Sequence, residues 1–127
     1  MVVGAPADAE LADLEIDRIF HALADATRRD IIARVIRGEQ SVSALAQQYP
    51  MSFAAVQKHV AVLERASLVT KQRRGREQMV HGDLTAIRKA TRLLEAYEEI
   101  WRQRARRIEQ ILSEPEPPTQ NRTTENG

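Results

Sequence analysis

Apolar residues recur every three or four positions through much of this chain, which is the spacing of amphipathic helices. One such pattern runs from Leu11 to Leu23 and predicts a first helix that ends near Ala24. Asp25 is placed to cap a second helix, and Gly38 follows the end of that helix. The buried stripe of the second helix is expected to comprise Ile31, Ile32, Val35 and Ile36.

Two shorter helical patterns follow, with a tight turn between them. Ser43 is expected to cap a third helix over residues 44–48, and Pro50 ends it because the residue before a proline avoids helical geometry. Ser52 is expected to cap a fourth helix. The apolar face of the fourth helix comprises Val56, Val60 and Leu63. The pair predicts a helix-turn-helix.

The period changes after the fourth helix. Two extended segments at about residues 68–73 and 77–81 flank Gly75, which can take the positive φ of a tight hairpin turn. A basic hairpin directly after the fourth helix is typical of a DNA-binding winged helix-turn-helix. The fold class is therefore mainly α, with five helices and a two-stranded β-hairpin wing.

A long fifth helix is predicted after Asp83, because no Pro or Gly occurs again before Pro115. Its apolar stripe continues over about five turns, which is longer than a small core can cover. The stripe comprises Leu93, Leu94, Tyr97, Ile100, Trp101, Ala105, Ile108, Ile111 and Leu112. We expect a dimer interface along it. A ligand site around Tyr97 and Trp101, for an unidentified small-molecule effector, is the alternative.

Three segments organise the chain. Residues 1–8 are expected to form a flexible lead, residues 9–113 the DNA-binding and dimerisation domain, and residues 114–127 a disordered, Pro-rich and polar tail. With 127 residues, 43% of them hydrophobic, one domain can build its core without a metal or disulfide.

Composition narrows the chemistry. The chain has no Cys, which excludes disulfides, thiolate metal ligands and cysteine redox sensing, and fits a reducing cytoplasm. No apolar run approaches the roughly 20 residues of a membrane span, and no signal peptide pattern opens the chain. We therefore expect a cytoplasmic protein. The net charge of only +1 does not by itself indicate a nucleic-acid binder, but residues 51–81 contain six Lys/Arg and only two Glu, so the positive charge is concentrated at the fourth helix and the wing.

The fourth helix carries small and polar residues on its outward face, which suits insertion into a major groove about 12 Å wide. Ser52 can hold a phosphate at the helix N-terminus or act only as the cap. Ala54 and Ala55 suit thymine methyl groups, Gln57 suits adenine edges, and Lys58 suits guanine or phosphate. The alternative for this face is plain solvent exposure.

Other candidates have competing structural roles. His59 lies next to the buried stripe, and we expect a structural or phosphate-contacting role for it. Phe53 is expected either partly exposed at the groove or packed on the third helix. For residues 27–29, capping and ion pairs with Asp25 or Asp30 are favoured over DNA contact. The wing cations expected to reach phosphates or the minor groove are Lys71, Arg73, Arg74 and Arg76.

The sequence lacks the residue patterns that a metal site or a catalytic centre requires. His21, His59 and His81 fall on three different elements, and none has a second ligand at metal-binding spacing. No Gly-rich phosphate loop occurs, and a hydroxyl nucleophile would lack a base. We therefore expect no cofactor, no metal and no enzyme activity.

The ordered set of motifs resembles the ArsR-type family of bacterial winged-helix regulators over about residues 12–112. The matching segments are ALADATRRDII at 22–32, SVSALA at 41–46, MSFAAVQKHVAVLERASLV at 51–69 and RRGR at 73–76. Metal-sensing relatives place cysteines in the third helix, and others use Asp and His on the last helix. This chain has neither, so it resembles the branch without metal-binding cysteines. Ser67 replaces the family's usual Gly before Leu-Val.

The resemblance implies a homodimer built by the first and last helices, with two reading helices on a palindromic operator. It also implies repression, commonly of the protein's own promoter. The residues expected in the dimer interface are Leu11, Leu14, Leu94, Tyr97, Ile100, Trp101 and Ile108. The expected partners are double-stranded operator DNA and a second copy, and no membrane. A winged-helix protein-interaction module that does not read DNA is the alternative function, and a small enzyme is a third.

Overall fold

The computed structural model describes the backbone of residues 4–115 and the side chains of residues 10–115. This part of the chain contains five helices and three strands, which confirms the mainly α, winged helix-turn-helix fold class. In chain order they are α1 (Gly4–Leu23), α2 (Ala26–Arg37), β1 (Gln40–Ser41), α3 (Val42–Ala46), α4 (Phe53–Arg65), β2 (Val69–Arg74), β3 (Glu77–Gly82) and α5 (Leu84–Ser113). The chain divides into two compact units, one up to Leu93 and one from Leu94.

The two ends of the chain were expected to be a flexible lead and a disordered tail. α1 begins at Gly4, so residues 4–8 are helical although a flexible lead was expected there. Pro6 does not prevent this, since the first turn of a helix needs no backbone N–H donors. Of the expected disordered tail, residues 116–127 lie outside the described residues.

The expected ends of α2 are confirmed. The Asp25 carboxylate accepts a 3.0 Å hydrogen bond from the backbone N–H of Arg28, and Gly38 is the residue after the helix. The placement of Ile36 in the buried stripe is wrong, because its side chain is 47% exposed. Ile36 lies in the last turn against Gly82, where an added Cβ would come within 2.8 Å of Ile36 Cγ1.

The cap of α3 is Ser41, and the expectation of Ser43 is wrong. Ser41 has extended backbone angles, and its Oγ accepts a 3.0 Å hydrogen bond from the N–H of Ala44. A helix capped at Ser41 starts two residues earlier, which buries Val42 together with Leu45. Burial of Val42 stabilises this earlier start.

The wing hairpin has the expected strands to within one residue. Arg74 pairs with Glu77, so the turn consists of Gly75 and Arg76, and Gly75 takes a φ of 65°. The sheet has a third strand, because β1 pairs antiparallel with β3 and the order is β1-β3-β2. The segment between α2 and α3 is thereby tied to the wing.

The turn from α4 into β2 depends on Ser67, which has a left-handed φ of 60°. The N–H of Leu68 donates to the carbonyl of Leu63 at 3.0 Å, and the N–H of Ser67 donates to that of Glu64 at 2.9 Å. These two bonds form a Schellman motif, in which glycine is the usual left-handed residue.

One core lies in the unit that ends at Leu93. It is apolar and contains residues of every helix and both long strands of that unit, including the buried face of α4. Its largest fully buried side chains are Ile19, Ile31, Leu45, Leu63, Leu68, Val56, Val60, Val69 and Val80.

Candidate nucleic-acid interface

Helix α4 separates a buried face from an exposed one, as its sequence predicts. Val56, Val60 and Leu63 are fully buried. Ser52 caps the helix, with its Oγ accepting from the N–H of Ala55 at 3.1 Å. The α4 residues expected to contact DNA divide into exposed Ser52, Ala54, Gln57 and Lys58 and half-buried Ala55 and His59. An amide and an ammonium group therefore stand on a solvent-exposed helical face.

Phe53 opens α4 and is 45% exposed. Of the two expected placements, the structure supports partial exposure. A half-exposed phenyl ring beside Ala54 offers apolar surface of the kind that contacts thymine methyl groups.

His59 connects α4 to the junction of α1 and α2. Its Nδ1 lies 3.2 Å from Nη1 of Arg28 and 3.9 Å from Oδ2 of Asp25. Arginine can only donate, so in this hydrogen bond the Nδ1 of His59 is the acceptor. The structural role expected for His59 thus has a defined partner.

The Arg28 side chain caps the C-terminus of α1. Its Nε donates to the carbonyl of Ala22 at 2.8 Å, and its Nη2 donates to the carbonyl of His21 at 3.1 Å. Cations commonly satisfy helix C-terminal carbonyls in this way. The capping expected of this segment is confirmed, but the expected ion pairs with Asp25 or Asp30 are not formed within residues 10–115, because the guanidinium groups donate to backbone carbonyls. The backbone N–H of Arg28 also lowers the pKa of the Asp25 carboxyl.

The four wing cations differ in their surroundings. Lys71 is half-buried, and its Nζ lies 3.3 Å from Oε1 of Glu64 on α4. Arg74 donates to both carboxylate oxygens of Glu39, with Nη2 3.3 Å from Oε2. That bond lowers the pKa of Glu39 and raises the pKa of Arg74. Arg73 and Arg76 are exposed, and neither has an ion pair among residues 10–115.

A polar cluster that the sequence reading missed joins α2 to the turn before α4. The Tyr49 hydroxyl and the Arg34 Nε both donate to Oδ2 of Asp30, at 2.6 Å and 2.7 Å. The Arg34 guanidinium also lies over the Tyr49 ring, 5.6 Å from its centroid. The spacing of four residues between Asp30 and Arg34 could have predicted their ion pair. The hydrogen bond between Asp30 and Tyr49 joins residues 19 positions apart, which no local pattern predicts.

The residues expected in a dimer interface are all exposed large hydrophobic side chains. In α1 they are Leu11 and Leu14. In α5 they are Leu94, Tyr97, Ile100, Trp101 and Ile108, with exposures between 47% for Ile108 and 68% for Trp101. The opposite side of α5 is polar, and there Glu99 accepts hydrogen bonds from Arg102, Gln103 and Arg106.

No group of three or more His, Cys, Asp or Glu side chains within the described residues is arranged to hold a metal ion. None of the described helices has the length and apolar character needed to cross a bilayer.

Comparison with known proteins gives consistent results. A helix-turn-helix domain family matches residues 23–72. The HTH-type transcriptional regulator Rv2034 of Mycobacterium tuberculosis is 39% identical over 71 residues. That match covers 56% of this chain and 66% of the relative, so the chain spans just under two thirds of the relative's length.

Solved structures share the fold along most of their length. The homodimeric winged helix-turn-helix DNA-binding domain of Mb0332 from Mycobacterium bovis has a TM-score of 0.60 at 24% identity, covering 78% of this chain and 92% of that one. An ArsR-like transcriptional regulator from Rhodococcus sp. RHA1 has a TM-score of 0.68 at 35% identity, covering 77% of this chain and 92% of that one. With this identity and coverage, the chain belongs to the ArsR family of winged helix-turn-helix transcriptional regulators.

Proposed function

We propose that this protein is a homodimeric, sequence-specific DNA-binding regulator that represses transcription, including that of its own gene, from a palindromic operator. The observation that carries the proposal is the exposed Ala54, Gln57 and Lys58 face of α4, held from beneath by buried side chains and followed at once by a basic wing. The family is one of transcriptional regulators and not of enzymes.

Recognition of bases is assigned to α4. Gln57 offers a donor and an acceptor to an adenine edge, and Lys58 donates to guanine or to a phosphate. Ala54, the half-exposed Ala55 and Phe53 provide apolar contacts to thymine methyl groups. Ser52 holds a phosphate at the helix N-terminus, where backbone N–H groups point outward. In this proposal, His59 does not contact DNA and contributes to binding only by supporting α4.

The wing contributes affinity without base specificity. Arg73 and Arg76 are exposed and have no ion pair within the described residues, so they are available to phosphates. Phosphate contacts of this kind position the protein and release counterions. Lys71 and Arg74 reach DNA only when they leave Glu64 and Glu39.

A two-fold dimer explains the exposed apolar residues of α1 and α5. An apolar stripe of this length is unfavourable in water unless another surface covers it. The Mycobacterium bovis domain of the same fold is homodimeric, which supports a second copy as the partner. Two-fold symmetry would set the half-sites one helical turn apart, about 34 Å.

The proposal is tested by binding of the purified protein to its own upstream region and to shuffled duplexes of the same composition, at moderate salt. We expect a clear preference for the upstream region, and selection from random duplexes should return an inverted repeat. Equal binding to all duplexes would remove sequence-specific regulation. No binding to any duplex would favour the protein-interaction module.

A further inference from the structure

Arg74 and Glu39 form an ion pair between the wing and the segment before β1. Arg74 is the last residue of β2, and both of its terminal nitrogens donate to the two carboxylate oxygens of Glu39. The side chain of Arg74 is 54% exposed, and that of Glu39 is 33% exposed. The pair therefore lies at the surface, where other anions can approach it.

A guanidinium binds a carboxylate and a phosphate through the same planar fork of N–H donors. While both Arg74 Nη groups are engaged by Glu39, that fork is not available to a DNA phosphate. Arg73 and Arg76, on either side, carry no such engagement within residues 10–115. Arg74 thus differs from its neighbours in having an internal competitor for the ligand that a wing cation would bind.

We infer that Glu39 competes with DNA phosphate for Arg74 and thereby sets how strongly the wing contributes to DNA affinity. The inference rests on the proposed DNA-binding function and assigns a role to a residue outside both the reading helix and the hairpin. In this arrangement Glu39 lowers affinity for every duplex equally, because Arg74 contacts no base edge. Sequence preference stays with α4.

His81 makes the exchange less unfavourable for Glu39. Its Nδ1 lies 3.0 Å from Oε2 of Glu39, on the strand next to β2. When Arg74 turns to a phosphate, the carboxylate keeps the imidazole of His81 and the surrounding water as its neighbours.

The experiment compares Glu39→Gln with a matched control, Glu77→Gln. Glu77 directly faces Arg74 across the hairpin, is exposed, and has no ion pair among the described residues, so its substitution removes the same charge near the same DNA. Affinities are measured for the selected operator and for a shuffled duplex. We expect Glu39→Gln to bind both duplexes about two- to fivefold more tightly than wild type, as release from a surface ion pair allows.

The decisive step repeats both substitutions in an Arg74→Gln background. The gain from Glu39→Gln should vanish there, whereas any gain from Glu77→Gln should persist, because the latter is a general effect of charge. A gain for Glu39→Gln that equals that of Glu77→Gln, or that survives without Arg74, would overturn the inference. Weaker binding of Glu39→Gln would also overturn it, since Glu39 would then orient Arg74 toward DNA.

The experiment distinguishes failure of the Glu39 competition from failure of the proposed DNA-binding function. If wild type binds the operator and Glu39→Gln binds with the same affinity, only the competition fails. If neither wild type nor Glu39→Gln binds any duplex, the proposed function fails and the competition fails with it. Circular dichroism melts of all variants check that the substitutions leave the fold intact.

Discussion

The Tyr49 hydroxyl donates a 2.6 Å hydrogen bond to the Asp30 carboxylate, and this bond joins the turn of the helix-turn-helix to α2. Asp30 also accepts from Arg34, so one carboxylate oxygen serves two elements. Both donors lower the pKa of Asp30. Partial burial and the bond to Asp30 raise the pKa of Tyr49 from 10.0 to about 12.

Tyr49→Phe should therefore destabilise the fold at neutral pH by about 1 kcal/mol, the usual worth of such a hydrogen bond. A phenol whose pKa is raised by folding stabilises the native state below pH 10 and loses that contribution as pH rises toward 12. The stability difference between wild type and Tyr49→Phe should thus shrink over this window. Urea unfolding at a series of pH values measures it, and equal stabilities at pH 8 would contradict the prediction.

Ser67→Gly should stabilise the protein by about 1 kcal/mol. The φ of 60° at Ser67 is strained for a side-chain-bearing residue and free for glycine. Ser67→Ala is the matched control, because alanine keeps the Cβ that causes the strain. Urea midpoints should place Gly above both Ser and Ala. If Gly and Ala shift the midpoint equally, strain at this position is not the cause.

The dimer is tested on the exposed stripe of α5. Leu94→Asp or Ile100→Asp should yield a monomer in sedimentation and raise the dissociation constant of the dimer at least about a hundredfold, because an unpaired carboxylate would enter an apolar interface. Operator binding should fall with it. Gln103→Asp adds the same group to the polar side, where Gln103 donates to Glu99, and should stay dimeric. A persistent dimer of the Leu94 and Ile100 variants would place the interface elsewhere.

Substitutions on the reading face should separate specificity from general affinity. Gln57→Ala should cost about 1–3 kcal/mol of discrimination at one base pair, if Gln57 pairs with an adenine edge. Lys58→Ala should weaken binding to all duplexes alike and reduce the salt slope by about 1, if Lys58 contacts a phosphate. Affinities over a panel of single-base operator variants at several salt concentrations distinguish the two outcomes. Unchanged discrimination in Gln57→Ala would exclude it from base recognition.

The wing prediction concerns counterion release. Arg74→Ala and Arg76→Ala together should weaken binding and lower the salt slope by between about 1 and about 2, because Arg76 loses a phosphate contact and Arg74 loses one to the extent that it leaves Glu39. Gln72→Ala, an exposed and uncharged position on the same strand, serves as the control. If the double variant keeps the wild-type slope, Arg74 and Arg76 do not contact phosphates.

The sequence predicted best where one residue type has one physical use. The buried face of α4 follows from the helical spacing of Val56, Val60 and Leu63, and the hairpin turn follows from Gly75. It predicted poorly where two residues could do the same task. Ser41 and Ser43 can both cap a helix, and burial of Val42 decides between them.

Pairings across the fold were beyond the sequence. Glu39 lies 35 residues from Arg74, and only the pairing of β1 with β3 brings the two elements together. Ile36 has the right spacing for burial, but it lies in the last turn of α2 beside Gly82, which has no side chain, and it stays 47% exposed. Periodicity reports which face of a helix is apolar, and it does not report how far the neighbouring elements extend.

The two faces of α4 have a consequence for how such regulators diversify. Val56, Val60 and Leu63 hold the helix in the core, while Ala54, Gln57 and Lys58 take no part in it. Substitutions at exposed positions usually change stability by less than about 0.5 kcal/mol. New operator preferences can therefore arise by single substitutions that leave folding unaffected. Duplicated copies of this gene can thus come to recognise different operators while they keep the same fold.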